Sequence, residues 1–168
     1  LFFIILGTLA TFLYTHFFPA EYAINPQFDH ASEFSEGLAA VRIGDYENGK
    51  VGYINKKGEI VIQPQFQEGS KFIDDLAMVC IGKWEKKKCG FINKLGKFVV
   101  NPQFDFARDF SEGLAPVLMG DEITGRWGFI NKAGSFVIEP QFVDPIPFCE
   151  YGCPFGFKEG LAAIKLPG

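Results

Sequence analysis

Histidine is almost missing from this sequence: His16 and His30 are its only two, and neither lies beside a cysteine or an acidic cluster. A metal centre or a catalytic triad needs imidazole, thiolate or carboxylate groups converging on one point, and this chain supplies them with difficulty. No catalytic or cofactor-binding residue suggests itself, and enzymatic activity is not expected. Excess positive charge is absent too. Sixteen Lys and Arg against twenty Asp and Glu give a net charge of −4 and a pI near 5.2. That is no footprint for phosphates, so nucleic acid is not an expected partner. Methionine is scarce at two residues, whereas phenylalanine reaches twenty. Aromatics pack well on a pleated surface and favour strands, and nineteen glycines with ten prolines furnish the turns between short ones. At 168 residues and 48% hydrophobic the chain has ample material for a core.

Charge is missing altogether from residues 1–18, which begin at Leu1 and reach Phe18 with no Asp, Glu, Lys or Arg. As a helix this segment would span roughly 27 Å, near the thickness of bilayer hydrocarbon. Pro19 then stops it, and Tyr14 and Tyr22 bracket the exit at interfacial depth. A single-pass transmembrane anchor is the expectation, with His16 at the membrane boundary. The competing readings are a secretory leader and a helix buried in a larger assembly. Lysine and arginine do not occur before Arg42, so no positive cluster holds that side of the helix in the cytoplasm. A periplasmic or extracellular domain is expected.

Residues 19–168 repeat. Pro-Gln-Phe recurs at Pro26, Pro64, Pro102 and Pro140, every 38 residues. Gly52-Tyr53-Ile54-Asn55 matches Gly90-Phe91-Ile92-Asn93 and Gly128-Phe129-Ile130-Asn131, and Lys-x-Gly follows each, ending at Gly58, Gly96 and Gly134. A strict period of this size means stacked or radially arranged units. Units of about 22–66, 60–104 and 98–142, overlapping at shared strands, precede a modified C-terminal cap, 143–168. The cap carries a nine-residue insertion and one final strand from Leu161 to Leu166.

Each unit reads as a three-stranded antiparallel meander. The first strands start at Leu38, Leu76 and Leu114; charged turns of varied sequence follow. A second strand carries the Gly-aromatic-Ile-Asn motif, and Asn-Lys-x-Gly makes a tight hairpin whose glycine suits positive φ. The third strand (60–62, 98–100, 136–138) is expected to end at the proline, which cannot donate to a ladder. The fold class is therefore an all-β repeat domain plus one N-terminal transmembrane helix.

These landmarks resemble the WG-repeat, or KWG-repeat, family, whose unit runs Glu-Gly-Leu-Ala-x-Val, Trp-Gly-Phe/Tyr-Ile-Asn, Lys-x-Gly, Val-Ile-x-Pro-x-Phe. The third unit matches nearly throughout, from Glu112, Gly113, Leu114 and Ala115 through Trp127, Gly128 and Asn131 to Pro140 and Phe142. Val51 and Cys89 stand at the tryptophan position elsewhere, and Asp75 replaces a glycine. The resemblance spans Tyr22 to Leu166. It implies a fold, and a likeness to bacterial surface and adaptor modules, but no reaction.

Two residue classes need weighing. Glu36, Asp74, Glu112 and Glu159 hold equivalent places; they are a row of carboxylates for cations or sugars, or turn residues accepting backbone N–H groups. The four cysteines, Cys80, Cys89, Cys149 and Cys153, admit local disulfides (Cys80–Cys89 and Cys149–Cys153), free buried thiols, or a four-thiolate zinc site. Disulfides would place the domain outside the cytoplasm.

The expected function is a non-enzymatic, membrane-anchored interaction subunit of a larger membrane complex. It would meet lipid and other subunits through residues 1–18 and protein partners through the repeat turns. Trp84, Glu85, Lys86, Asp121 and Glu122 are the candidate contact residues. The alternatives are a pilin-like extracellular filament subunit and a cell-surface ligand- or sugar-binding module.

Overall fold

The computed structural model describes residues 27–83, 86–121, 123–143 and 159–161. The anchor expected over residues 1–18, most of the cap, Cys149 and Cys153 lie outside them. Among the described residues no helix is long and apolar enough to cross a membrane.

Three four-stranded antiparallel sheets follow one another along the chain. The first contains β1 (His30–Ala31), β2 (Leu38–Ile43), β3 (Lys50–Asn55) and β4 (Ile60–Phe66); the second contains β5 (Glu68–Gly69), β6 (Leu76–Ile81), β7 (Lys88–Asn93) and β8 (Phe98–Phe104). The third contains β9 (Phe106–Ala107), β10 (Leu114–Met119), β11 (Arg126–Asn131) and β12 (Phe136–Phe142). Among the described residues strands are hydrogen-bonded in chain order within each sheet, and none serves two sheets.

Two expectations are corrected here. The units are four-stranded, not three-stranded: a two-residue strand precedes each meander and pairs with the far end of the next strand, as Ala31 does with Val41. Its sequences, His-Ala, Glu-Gly and Phe-Ala, are too short and too unlike to carry an alternation signal. His30 lies in β1.

The third strand also does not end at the proline. It runs through Pro64 to Phe66, because a bulge lifts the proline out of the ladder: Tyr53 faces Ile62, yet two residues earlier Val51 faces Phe66. The glycine between them makes the bulge possible. A Cβ on Gly52 would lie 2.5 Å from the Ile62 carbonyl oxygen and 2.6 Å from the Pro64 nitrogen. Gly90 and Gly128 meet Val100 with Pro102, and Ile138 with Pro140, in the same way.

Both faces of each central strand are buried, so successive sheets stack. One core cluster joins Tyr53, Ile62 and Phe66 of the first sheet to Phe72, Val79 and Ile92 of the second unit. The next joins Phe91, Val100 and Phe104 to Phe110, Val117 and Ile130. The ring contact at each junction recurs: Tyr53 meets Phe72 with centroids 5.0 Å apart, and Phe91 meets Phe110 at 4.7 Å. A buried aromatic ring stabilises by about 2–3 kcal/mol, so the junctions hold the array together. The Tyr53 hydroxyl stays satisfied by donating to the Ser70 carbonyl at 2.8 Å. Burial, then the charge of Asp109, pushes that phenol well above its ordinary range.

Candidate interaction surface

Stacking places like turns in rows along the array. One row holds the Ser-Glu-Gly or equivalent turns before β2, β6 and β10. In the first, Ser35 and Leu38 exchange backbone hydrogen bonds while Glu36 and Gly37 take φ of 50° and 90°. The second turn places Asp74 and Asp75 at 55° and 68°. Aspartate tolerates this left-handed region better than most side chains, which is how the unit survives without its glycine.

The acidic residues of this row accept backbone N–H groups, but those of the next unit's turn. Glu36 takes the amide of Asp75 at 3.1 Å. Glu112 takes those of Glu159 and Gly160 at 2.7 and 2.9 Å. Asp74 is one methylene shorter and instead meets Lys132 Nζ at 3.4 Å. Lys94 bridges Glu36 at 3.0 Å and Asp75 at 2.7 Å. Its hydrogen bond to each holds both carboxyls below their usual range and raises the lysine. These carboxylates form an inter-unit seam.

The opposite row holds the outer turns. Asp45 and Asp121 build the same loop: the Oδ1 of Asp45 accepts the amides of Glu47 and Asn48, that of Asp121 the amides of Ile123 and Thr124. Backbone donors keep both carboxyls low, with Asn48 and Thr124 leading. Asp121 thus caps its own turn. Lys86 is exposed, its amide donating to the Lys83 carbonyl at 2.8 Å. Trp84, Glu85 and Glu122 lie outside the described residues.

Cys80 and Cys89 face each other across β6 and β7 with Cα atoms 4.0 Å apart, and are joined by a disulfide. Two thiolates of the four-thiolate zinc alternative are thereby consumed. Among the described residues no group of three or more His, Cys, Asp or Glu is placed to hold a metal ion.

Sequence reasoning missed the groove between the first two outer turns. Its volume is about 1020 Å³, with Tyr46, Glu47 and Lys50 on one wall, Gln67 at its floor, and Lys83 and Lys86 on the other wall. The first wall is braced from beneath: Arg42, buried, donates to the carbonyls of Gly49 at 3.1 Å and Gln67 at 3.0 Å. The one sequence clue was the run of lysines at 83 and 86–88 in an otherwise acidic chain.

Neither a curated protein nor a solved structure matches the chain. The family model for the WG containing repeat matches residues 21–46, 52–83, 90–122 and 127–153, well over half of the sequence. The glycine of that motif is the one each β-bulge requires, and on both grounds the chain belongs to the WG-repeat family.

Proposed function

We propose that this protein is a membrane-anchored interaction subunit: residues 1–18 locate it in a bilayer, and the stacked sheets present their outer turns to other proteins of a membrane complex. The observation that carries this reading is the division of labour between the two turn rows. The inner row spends its carboxylates on holding neighbouring units together. The outer row closes its loops internally and varies in charge, with Asp45 in the first turn, Lys83 and Lys86 in the second and Asp121 in the third. A rigid scaffold with variable loops on one side is how repeat proteins build binding surfaces.

The uncharged run of residues 1–18 supports the anchor. The Cys80–Cys89 disulfide supports a periplasmic or extracellular domain, since such bonds persist in oxidising compartments. Purification of the tagged full chain from its native membrane in mild detergent tests the reading. The expected result is co-migration with a defined set of other subunits. Recovery as a lone chain, or release from the membrane by carbonate, would overturn it.

A further inference from the structure

The groove between the first two outer turns carries lysines that no carboxylate among the described residues pairs with, and we propose that it binds a short acidic peptide segment of a partner protein. This rests on the interaction-subunit reading and names the chemistry of its partner. Four lysines stand in or beside the second outer turn, and they divide into two kinds. Lys87 pairs with Glu68 at 2.7 Å and Lys88 with Asp105 at 2.6 Å. Both are neutralised within the fold. Lys83 and Lys86 line the groove, and among the described residues no carboxylate pairs with either. Across from them Lys50 rests on a neutral acceptor, the Gln67 Oε1, at 3.0 Å. Among the described residues three ammonium groups thus border one groove against one lining carboxylate, that of Glu47, in a chain of net charge −4.

The groups that would read a sugar are already engaged. Gln67 Nε2 donates to the Glu47 carbonyl at 3.1 Å, and the Asn48 amide donates to Asp45 Oδ2 at 3.5 Å. The Tyr46 ring carries the Arg42 guanidinium 5.0 Å from its centroid, so that face is not open for a sugar or base to stack on. What the groove still offers is flexible point charges, which suit carboxylates on flexible side chains; no arginine fork faces a phosphate here. The turns also limit the length of the occupant. Asp45 stands on one side of the lysines and Asp121 on the other, both ionised. A long polyanion running along the row would meet both, whereas a short acidic stretch lies between them.

The test uses the full chain in neutral detergent and fluorescence anisotropy of a labelled hexaglutamate peptide, with hexaglutamine as its neutral counterpart. Saturable binding of the glutamate peptide is expected, weakening as salt rises. K83E with K86E should reduce affinity about tenfold or more, the scale of two exposed ion pairs converted to repulsions. Charge reversal of two exposed lysines elsewhere, K57E with K97E, should leave it within about twofold. Lys83→Gln with Lys86→Gln should fall between, which keeps the test informative if the reversal misfolds. Equal binding of hexaglutamine, equal losses from both reversals, or tighter binding of an oligouronate or a DNA oligomer would each overturn the proposal. The measurement needs no complex. A chain that purifies alone from membranes yet binds the peptide sinks the subunit reading while sparing the groove, and the reverse pattern does the opposite.

Discussion

The second and third units differ most at one pair of facing positions. Cys80 faces Cys89 in the second, bonded and fully buried; Leu118 faces Trp127 in the third, packed among Phe106, Phe129 and Phe142. The first unit has a third solution at the same place, Arg42 opposite Val51, with the guanidinium turned to backbone carbonyls. A covalent bond, an aromatic plug and a buried cation therefore occupy one backbone site without changing its register. The neighbouring glycine has no such freedom, because bulged backbone lies within 3 Å of where its Cβ would be in every unit. The backbone dictates the glycine; the tryptophan position only has to be filled and satisfied.

The sharpest way to break that contrast is Gly90→Ala. The new Cβ would sit 2.4 Å from the Val100 carbonyl oxygen and 2.8 Å from the Pro102 nitrogen, neither of which can rotate away. Losses above about 4 kcal/mol, at the extreme of single substitutions, are expected in urea unfolding. A near-neutral result would mean the bulge is not what demands glycine. Trp127→Ala comes next, at about 3–4 kcal/mol for a large ring removed from a packed cluster. Opening the Cys80–Cys89 bond with a thiol reductant should cost less, about 2–3 kcal/mol, since the loop it closes is short. If reduction unfolds the domain while Trp127→Ala is tolerated, the ranking of filler over crosslink is wrong.

A smaller effect separates the ends of the inner seam. Glu112→Ala frees the amides of Glu159 and Gly160, and both should exchange with solvent about tenfold faster. The urea midpoint should barely move, because Glu112 is exposed and the junction cores remain. Unchanged exchange at the two amides would deny that the third unit holds the cap through this side chain.

Much of this architecture was legible in the sequence where the signal was local or periodic. The 38-residue step and the hairpin glycines follow from short-range rules, whereas Cys80 opposite Cys89 was one alternative among three until the register across the long turn decided it. The fourth strand was not legible, because two residues such as Glu68 and Gly69 show no period. Pro64 was misread because a true rule, that proline cannot donate, was applied without the bulge that exempts it. The clue lay twelve residues upstream, in a glycine keeping constant distance from each proline. The seam and the groove were hidden for another reason. Glu36 bonds a residue 39 positions away, and Lys83 faces the first unit's turn, so both depend on how units stack.

The smallest effect tests whether two equivalent lysines do equal work. Lys94 spans two carboxylates, Glu36 and Asp75, while Lys132 meets Asp74 alone. In the folded protein Glu36 and Asp75 titrate below their free values. Their contribution is complete above the unfolded carboxylate range, near pH 4, and is lost as pH falls through the folded values. Lys94 is raised, so its share is present below its free value near 10.4 and lost as pH climbs through the folded one. Lys94→Ala should therefore lower the melting temperature by a few degrees at pH 7. Once the pH has fallen through both folded values the carboxylates are protonated in either state, and the gap to wild type should close. Lys132→Ala should open a narrower gap at pH 7. High salt should shrink both gaps, because all these groups are at least partly open to solvent. A Lys94 gap that persists after both carboxylates have titrated would show that its aliphatic stem, not its charge, supports the junction.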